Sequence, residues 1–248
     1  MSAYDAVALL LTARQGGPRP ATLPPQIRDA DWAYRVQSLM VASLGGRIGG
    51  WKAGLSASEP PSRAPLPLEG MRWSPTTVPL AQMPFAGVEA EIAFQLGTDL
   101  PPRGIPYSRE AVADALSAAA PAIELVDTRF ADFDAARPVD RLADLGSHFG
   151  LVVGTPVTDW QRLPLDALPL RFCVGERVLV EQTGGHSAGH PLEAVVWLAN
   201  HLHAYGDWLR AGQWVTTGAI GGLQRAPEGG TVVATFTGFG EVMVTLMA

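Results

Sequence analysis

The chain has little cysteine, almost no lysine, no basic run and no long apolar run, and each shortage excludes something. Cys173 stands alone, which rules out an internal disulfide and a cluster of thiolate metal ligands. Its seat in the strand-like "LRFCVG" implies core packing rather than a reactive thiol. No stretch reaches the roughly 20 apolar residues of a membrane span. The opening "MSAYDAVALLLTARQ" lacks a basic leader and carries Asp5 ahead of a short apolar run, so a cytoplasmic location is expected. A net charge of −6 without basic clusters argues against nucleic acid or an anionic membrane as partner, and a small molecule is expected instead. Of 18 basic residues, only Lys52 is lysine. Drift toward an arginine-rich composition would leave one by chance. Yet arginine keeps its proton near neutral pH, whereas a partly desolvated lysine can release one, so Lys52 is a candidate proton carrier.

What is present fits one domain of 248 residues, 47% hydrophobic, with an N-terminal helical part over 1–45 and a core over 46–248. "AYDAVALLLTARQ" and "DADWAYRVQSLMVASLG" have helical spacing and flank the proline-rich connector "GGPRPATLPP". "GRIGGWKAGL" reads as a glycine-kinked strand. Residues 58–84, with seven prolines, read as a long lid-like loop. Then follow a strand at 87–97, a helix at 108–119, the apolar strand "PAIELVD", and strands near 149–155, 169–174, 177–182, 213–217, 231–236 and 241–247. One amphipathic helix, "PLEAVVWLANHLHAYG", has Pro191 suited to its first turn. Many strands, few helices and no regular βαβ alternation give an α+β class.

Inside "GVEAEIAFQLG" two glutamates stand two positions apart. On a strand Glu89 and Glu91 share one face, with Cα atoms roughly 6.6 Å apart, and Val88, Ala90, Ile92 and Phe94 take the other. A wet-faced strand explains a lone pair of this kind. Glu124, in "AAAPAIELV", is harder to dismiss, because an unpaired carboxylate among eight apolar residues is too costly to keep ionised. A cation shared by Glu89, Glu91 and Glu124 resolves all three, and an all-oxygen shell favours Mg²⁺ or Mn²⁺.

The ordered segments "GGWKAGL", "VEAEIAF", "PAIELVDTRF", "DLGSHFGLVVG" and "GHPLEAVVWLANHLHAYGDWLRAGQWVTTG" resemble the 2-keto-4-pentenoate hydratase and 4-oxalocrotonate decarboxylase branch of the fumarylacetoacetate hydrolase superfamily. The resemblance implies a mixed β-roll with N-terminal helices and a homo-oligomer. It implies a divalent metal on Glu89, Glu91 and Glu124, and Lys52 placed to move protons. Ser147 and Thr217 become substrate-binding candidates. Read from the residues alone, Asp127 and Arg129 form an ion pair, either behind the site or plainly structural. The implied reaction is addition of water to a 2-hydroxy-2,4-dienoate, with decarboxylation of a 2-oxo-3-enedioate, or another C–C lyase or hydrolase reaction, as alternatives. Two departures stand out. Leu145 sits where the family usually has asparagine, and residues 53–88 contain no aspartate, only Glu59 and Glu69.

"GHSAG" at 185–189 matches the G-x-S-x-G elbow of serine hydrolases, with Ser187 as nucleophile, but the downstream acid before a histidine is only Glu193, some two helical turns from His201. A non-catalytic homologue is a further alternative, suggested by the missing aspartate. His186 and His190 read as surface or capping residues. His201 and His203, two apart, do not share a helix face. His148 has no assigned role.

Overall fold

The computed structural model describes residues 2–24 and 29–248. Met1 and the end of the connector from Pro25 lie outside them. In chain order the elements are α1 (Ala3–Arg14), α2 (Ala30–Ser43), β1 (Ile48–Gly54), β2 (Ser62–Pro67), β3 (Met71–Trp73), β4 (Thr76–Pro79) and β5 (Gly87–Leu96). There follow α3 (Arg109–Ala115), β6 (Leu116–Val126), α4 (Pro138–Ala143), β7 (His148–Val153), β8 (Pro169–Val174) and β9 (Arg177–Thr183). The last are α5 (Leu192–His201), β10 (Trp214–Thr216), β11 (Gln224–Arg225), β12 (Gly230–Phe236) and β13 (Gly240–Met247).

Two mixed sheets carry the core. The larger runs β2-β1-β10-β5-β6-β7-β3, with β11 also on β5, and the smaller runs β4-β13-β12-β8-β9. β5 is central because its alternation serves both of its faces. Val88, Ala90, Ile92 and Phe94 are fully buried in the cluster that also contains Val232, Ala234, Val242 and Val244 of the smaller sheet. Burial on this scale contributes roughly 1.5–3 kcal/mol for each large side chain. The opposite face presents Glu89, Glu91 and Ala93 to the other side of the larger sheet. α1 and α2 close against this sheet through a second cluster in which Leu10, Val36 and Met40 meet Phe130 and Leu145. Asp29 caps α2 by accepting from the Trp32 amide at 3.0 Å. Among the described residues no helix is long and apolar enough to cross a membrane.

Two expectations are corrected. The segment 58–84 is not a structureless loop: it contributes β2, β3 and β4. All three lie at sheet ends, where proline's missing donor costs least. The helix expected over 108–119 stops at Ala115, and Leu116 already opens β6. Ala118, Ala119 and Ala120 stand in register with Gln95, Phe94 and Ala93, so pairing overrides alanine's helical preference. Cys173, in β8 opposite Val233, is half-buried.

Candidate metal and proton-transfer site

Strand register assembles the site. Glu89 on β5 lies directly across from Glu124 on β6, and Glu91 follows two residues along the same face. On the other flank Lys52 of β1 is opposite Thr216 of β10, which is opposite Ala93 of β5. One ligand oxygen from each glutamate lies within 4.8 Å of the others. Lys52 Nζ donates to Glu124 Oε1 at 2.8 Å and to the Gly146 carbonyl at 3.1 Å. Glu91 Oε2 accepts from the Thr216 hydroxyl and from the Gly218 amide.

Oxygens are left over. Glu124 is 0% exposed and its Oε2 has no partner among the described residues. A bare buried oxygen costs about 1–3 kcal/mol or more. Three carboxylates against one ammonium leave excess negative charge in a low-dielectric pocket. Desolvation by burial therefore pushes Glu89 up to about 8, although Lys52 opposes it, and Glu124 and Glu91 add to the rise. Burial likewise pushes Glu91 up to about 7, with Glu124 adding and Lys52 and the Thr216 hydroxyl opposing. For Lys52 burial alone would lower the pKa, but Glu124, Glu89 and Glu91 together hold it above the ordinary lysine value. An orphaned oxygen, a hard donor set and surplus charge all fit a divalent cation.

The raised carboxylates fix the pH dependence. Between their ordinary value of 4.5 and the folded values near 7 and 8, the folded chain holds protons that the unfolded chain has released. The contribution of these two groups to the stability of chelator-treated protein therefore falls as pH rises through that window, whereas His148, His186, His190 and His201, all lowered by burial from the ordinary 6.5, contribute the opposite slope below that value. Thermal melts in chelator from about pH 7 to 8.5, above the range in which the histidines of the unfolded chain titrate, should show Tm decreasing, and Glu89→Gln should flatten the trend. Mg²⁺ affinity should move oppositely, tightening by about tenfold or more between pH 6 and 8 as protons cease to compete. A Tm flat with pH, in parent and variant alike, would contradict the clustered charge.

The turn behind Lys52 is held under strain. Leu145 (φ 53°), Gly146 (φ 63°) and Ser147 (φ 59°) are consecutively left-handed, a conformation that costs about 1–3 kcal/mol at each non-glycine residue. Leu145 is anchored by full burial, and Asp144 is gripped by Arg129 through its carboxylate and its carbonyl. The expected ion pair between Asp127 and Arg129 is not formed. Asp127 instead accepts from Arg19 at 3.0 Å and from the Phe85 amide at 2.9 Å. Arg129 still supports the site, by fixing the turn that delivers the Gly146 carbonyl to Lys52. Ser147 reaches the cleft wall, buried and with its Oγ unpartnered among the described residues.

Thr217 is not at the cleft. Its hydroxyl donates to the Ile92 carbonyl at 2.7 Å, and His186 Nε2 lies 3.2 Å away. Its neighbour Thr216 faces Glu91 instead. His148, without a role in the sequence, has a place in the structure: it is fully buried, with Nδ1 3.1 Å from Glu124 Oε1. Desolvation, reinforced by Lys52, holds its pKa well below the usual value. The neutral ring therefore donates from Nδ1–H to the carboxylate, and Nε2 is left bare. His186 and His190 cap the turn by accepting from the Ala188 and Leu192 amides. Ser187 donates to the Leu55 carbonyl at 2.8 Å and has no histidine base among the described residues, which removes the serine-hydrolase reading. Of the acids in 53–88, Glu59 lines the cleft, while Glu69 is tied to Arg47 at 2.6 Å on the surface.

The cleft above the carboxylates has two lobes of about 530 and 540 Å³ that share Lys52, Glu59, Glu89, Arg141 and Gly146, a size suited to a small ligand.

Comparison with known proteins gives the chain's relatives. The chain is similar to a 2-keto-4-pentenoate hydratase of Paraburkholderia xenovorans (strain LB400), 33% identical over 96% of this chain and 92% of that one. A 2-hydroxyhexa-2,4-dienoate hydratase of Comamonas testosteroni is 35% identical over 63% of this chain and 58% of its own. In structure the chain is similar to the 4-oxalocrotonate decarboxylase of Pseudomonas putida G7 complexed with magnesium and adipate. That likeness has a TM-score of 0.86 at 21% identity and covers 100% of this chain and 99% of the other. Residues 71–247 match the fumarylacetoacetate (FAA) hydrolase C-terminal family, and the chain belongs to that family.

Proposed function

We propose that the protein is a divalent-metal-dependent hydratase that converts a 2-hydroxy-2,4-dienoate to a 4-hydroxy-2-oxo acid. The observation that carries this reading is the pairing of Lys52 Nζ with the buried Glu124, whose other oxygen is bare, in a cluster with Glu89 and Glu91, which line the cleft beside Lys52. The hydratase names of relatives such as that of P. xenovorans support it. Glu89, Glu91 and Glu124 would hold Mg²⁺ or Mn²⁺, which when bound supplies Lewis-acid stabilisation of negative charge on the 2-oxygen.

The chain's own residues do the rest. Lys52 spends two of its three hydrogens on Glu124 and Gly146, which aims the ammonium and leaves one hydrogen for the cleft. From there it can hold or exchange a proton as the dienol becomes the 2-oxo-3-enoate, with the new C–H bond at C5. Water then adds hydroxyl at C4 and hydrogen at C3. Glu59, exposed at the rim of both lobes of the cleft, would be the acid of the 53–88 segment that meets that water. Ser147 Oγ, unpartnered on the cleft wall, would contact the bound acid. A cytoplasmic homo-oligomer acting on a small molecule accompanies this reading.

The test is a panel of 2-hydroxydienoates and 2-oxo-3-enedioates with Mg²⁺, following dienol absorbance and CO₂ separately. Dienol loss without CO₂ is expected, abolished by chelator and restored by metal. CO₂ release as the main event would make the enzyme a decarboxylase, and turnover that survives chelation would overturn the metal role.

A further inference from the structure

Among the described residues two arginines line the cleft outside the metal site, and Arg63, in one lobe only, is buried with Nη1 on Gln37 and its guanidinium over Tyr34, which leaves Arg141. Arg141 lies on α4, just ahead of the left-handed turn at 145–147, and it lines both lobes together with Leu142. Its neighbours on the chain are committed: Arg137 grips Asp140, and Asp144 is taken by Arg129. Arg141 is half-buried. Its Nη1 donates to the Phe133 carbonyl at 3.1 Å and the Ala136 carbonyl at 2.7 Å, and the guanidinium lies 5.1 Å from the centre of the Phe133 ring. Its Nε and Nη2 have no partner among the described residues, and no carboxylate there pairs with it.

That arrangement leaves one edge of a planar fork open. Nε and Nη2 are the two parallel donors with which arginine takes a carboxylate bidentately, and they are pre-aimed because Nη1 is tied down. A role confined to stapling the 133–136 turn would use Nη1 alone. Among the described residues, the other charged groups of the lobe that Phe133 lines are accounted for. Asp29 caps α2, Glu59 is exposed at the rim, and Lys52 and Glu89 belong to the metal end. The remaining wall, with Val126, Phe133, Val139, Leu142 and Leu223, suits a carbon chain running between the two ends.

We propose that Arg141 is a specificity-determining residue that binds a second carboxylate at the far end of the substrate, so that the enzyme prefers 2-oxo or 2-hydroxydienoic diacids over monoacids. This rests on the reading that the 2-oxo acid end sits at Glu89, Glu91 and Glu124.

The experiment is calorimetric binding of 2-oxoadipate and 2-oxohexanoate to the full-length, Mg²⁺-loaded protein, in the parent, Arg141→Met and Arg141→Lys. The parent should bind the diacid about tenfold or more tighter, as expected for a charge-assisted pair. Arg141→Met should bring the two acids within about twofold of each other without weakening the monoacid, and Arg141→Lys should restore part of the preference. Equal affinities in the parent would overturn the proposal with no variant needed. Equal weakening of both acids in Arg141→Met would also overturn it, by making Arg141 a structural staple. If neither acid bound in a Mg²⁺-dependent way, the reading of the metal end would fall as well, an outcome distinct from loss of the diacid preference alone.

Discussion

Replacing Lys52 by arginine should cut kcat by about 10²-fold or more, the usual worth of a positioned proton carrier, while Mg²⁺ affinity stays within about threefold of the parent. Arginine keeps the charge and approximate length but does not give up its proton, so it separates proton transfer from electrostatics. Two opposed influences act on the Lys52 proton. Burial works to release its proton, and the three glutamates hold it. When a cation takes up the carboxylates' charge, that hold weakens and burial counts for more. A purely electrostatic Lys52 predicts the reverse: arginine would largely rescue kcat, and Lys52→Met would chiefly raise KM. Both variants must first melt like the parent, since the lysine stem packs against Gly146, where even a Cβ would meet Lys52 Cδ at 3.2 Å. The opposing residue on β2 is Ala64, which leaves room on that side for a longer side chain. If Lys52→Arg turned over within about threefold of the parent, a difference below 1 kcal/mol of barrier, Lys52 would be neither acid nor base.

The parts of the site that could be read from sequence are those where a side chain contradicts its surroundings. Glu124 is a charge in an apolar run, Glu89 and Glu91 alternate against four buried apolar residues, and Lys52 is the one lysine among arginines. Each contradiction survives folding because the fold brings the charges together. The misreadings have physical causes as well. A strand's parity decides which of two adjacent threonines faces a site, and "WVTTG" does not say where β10 enters the sheet, so the sequence points to Thr217 where Thr216 stands. Prolines in 58–84 mark loops in most contexts, but at the ends of sheets they are tolerated. Pro65 and Pro67 on β2 and Pro79 on β4 lie on such strands. Asp127 and Arg129 are close in sequence, yet their partners, Arg19 and Asp144, are supplied by the packing of the N-terminal segment and by the turn after α4. His148 carries no sequence signal, since its meaning lies in the register that sets β7 beside β6 and so brings its ring to Glu124.

Glu124→Gln should abolish most metal binding while leaving the metal-free fold intact. The isosteric amide keeps a carbonyl oxygen for Lys52 Nζ and His148 Nδ1, now met at 2.8 and 3.1 Å by Glu124 Oε1. It puts NH₂ where the bare Oε2 was, so a buried orphan acceptor becomes a donor in the carboxylate cluster. In chelator the variant should melt at or above the parent's Tm. With metal the two should diverge. Ligand at a hundred times Kd stabilises a folded protein by about 2.7 kcal/mol, so the parent should gain a clear Tm shift in Mg²⁺ and the variant almost none. Loss of a partner outside the ligand shell typically costs about 10–100-fold in metal affinity, so loss of a ligand should reach about a hundredfold or more. Glu69→Gln is the control, because Glu69 pairs with Arg47 on the surface and its loss should leave Mg²⁺ affinity within about twofold. Equal Mg²⁺ affinity in Glu124→Gln and Glu69→Gln would show that Glu124 is no ligand, and its buried charge would then serve only to hold Lys52 and His148.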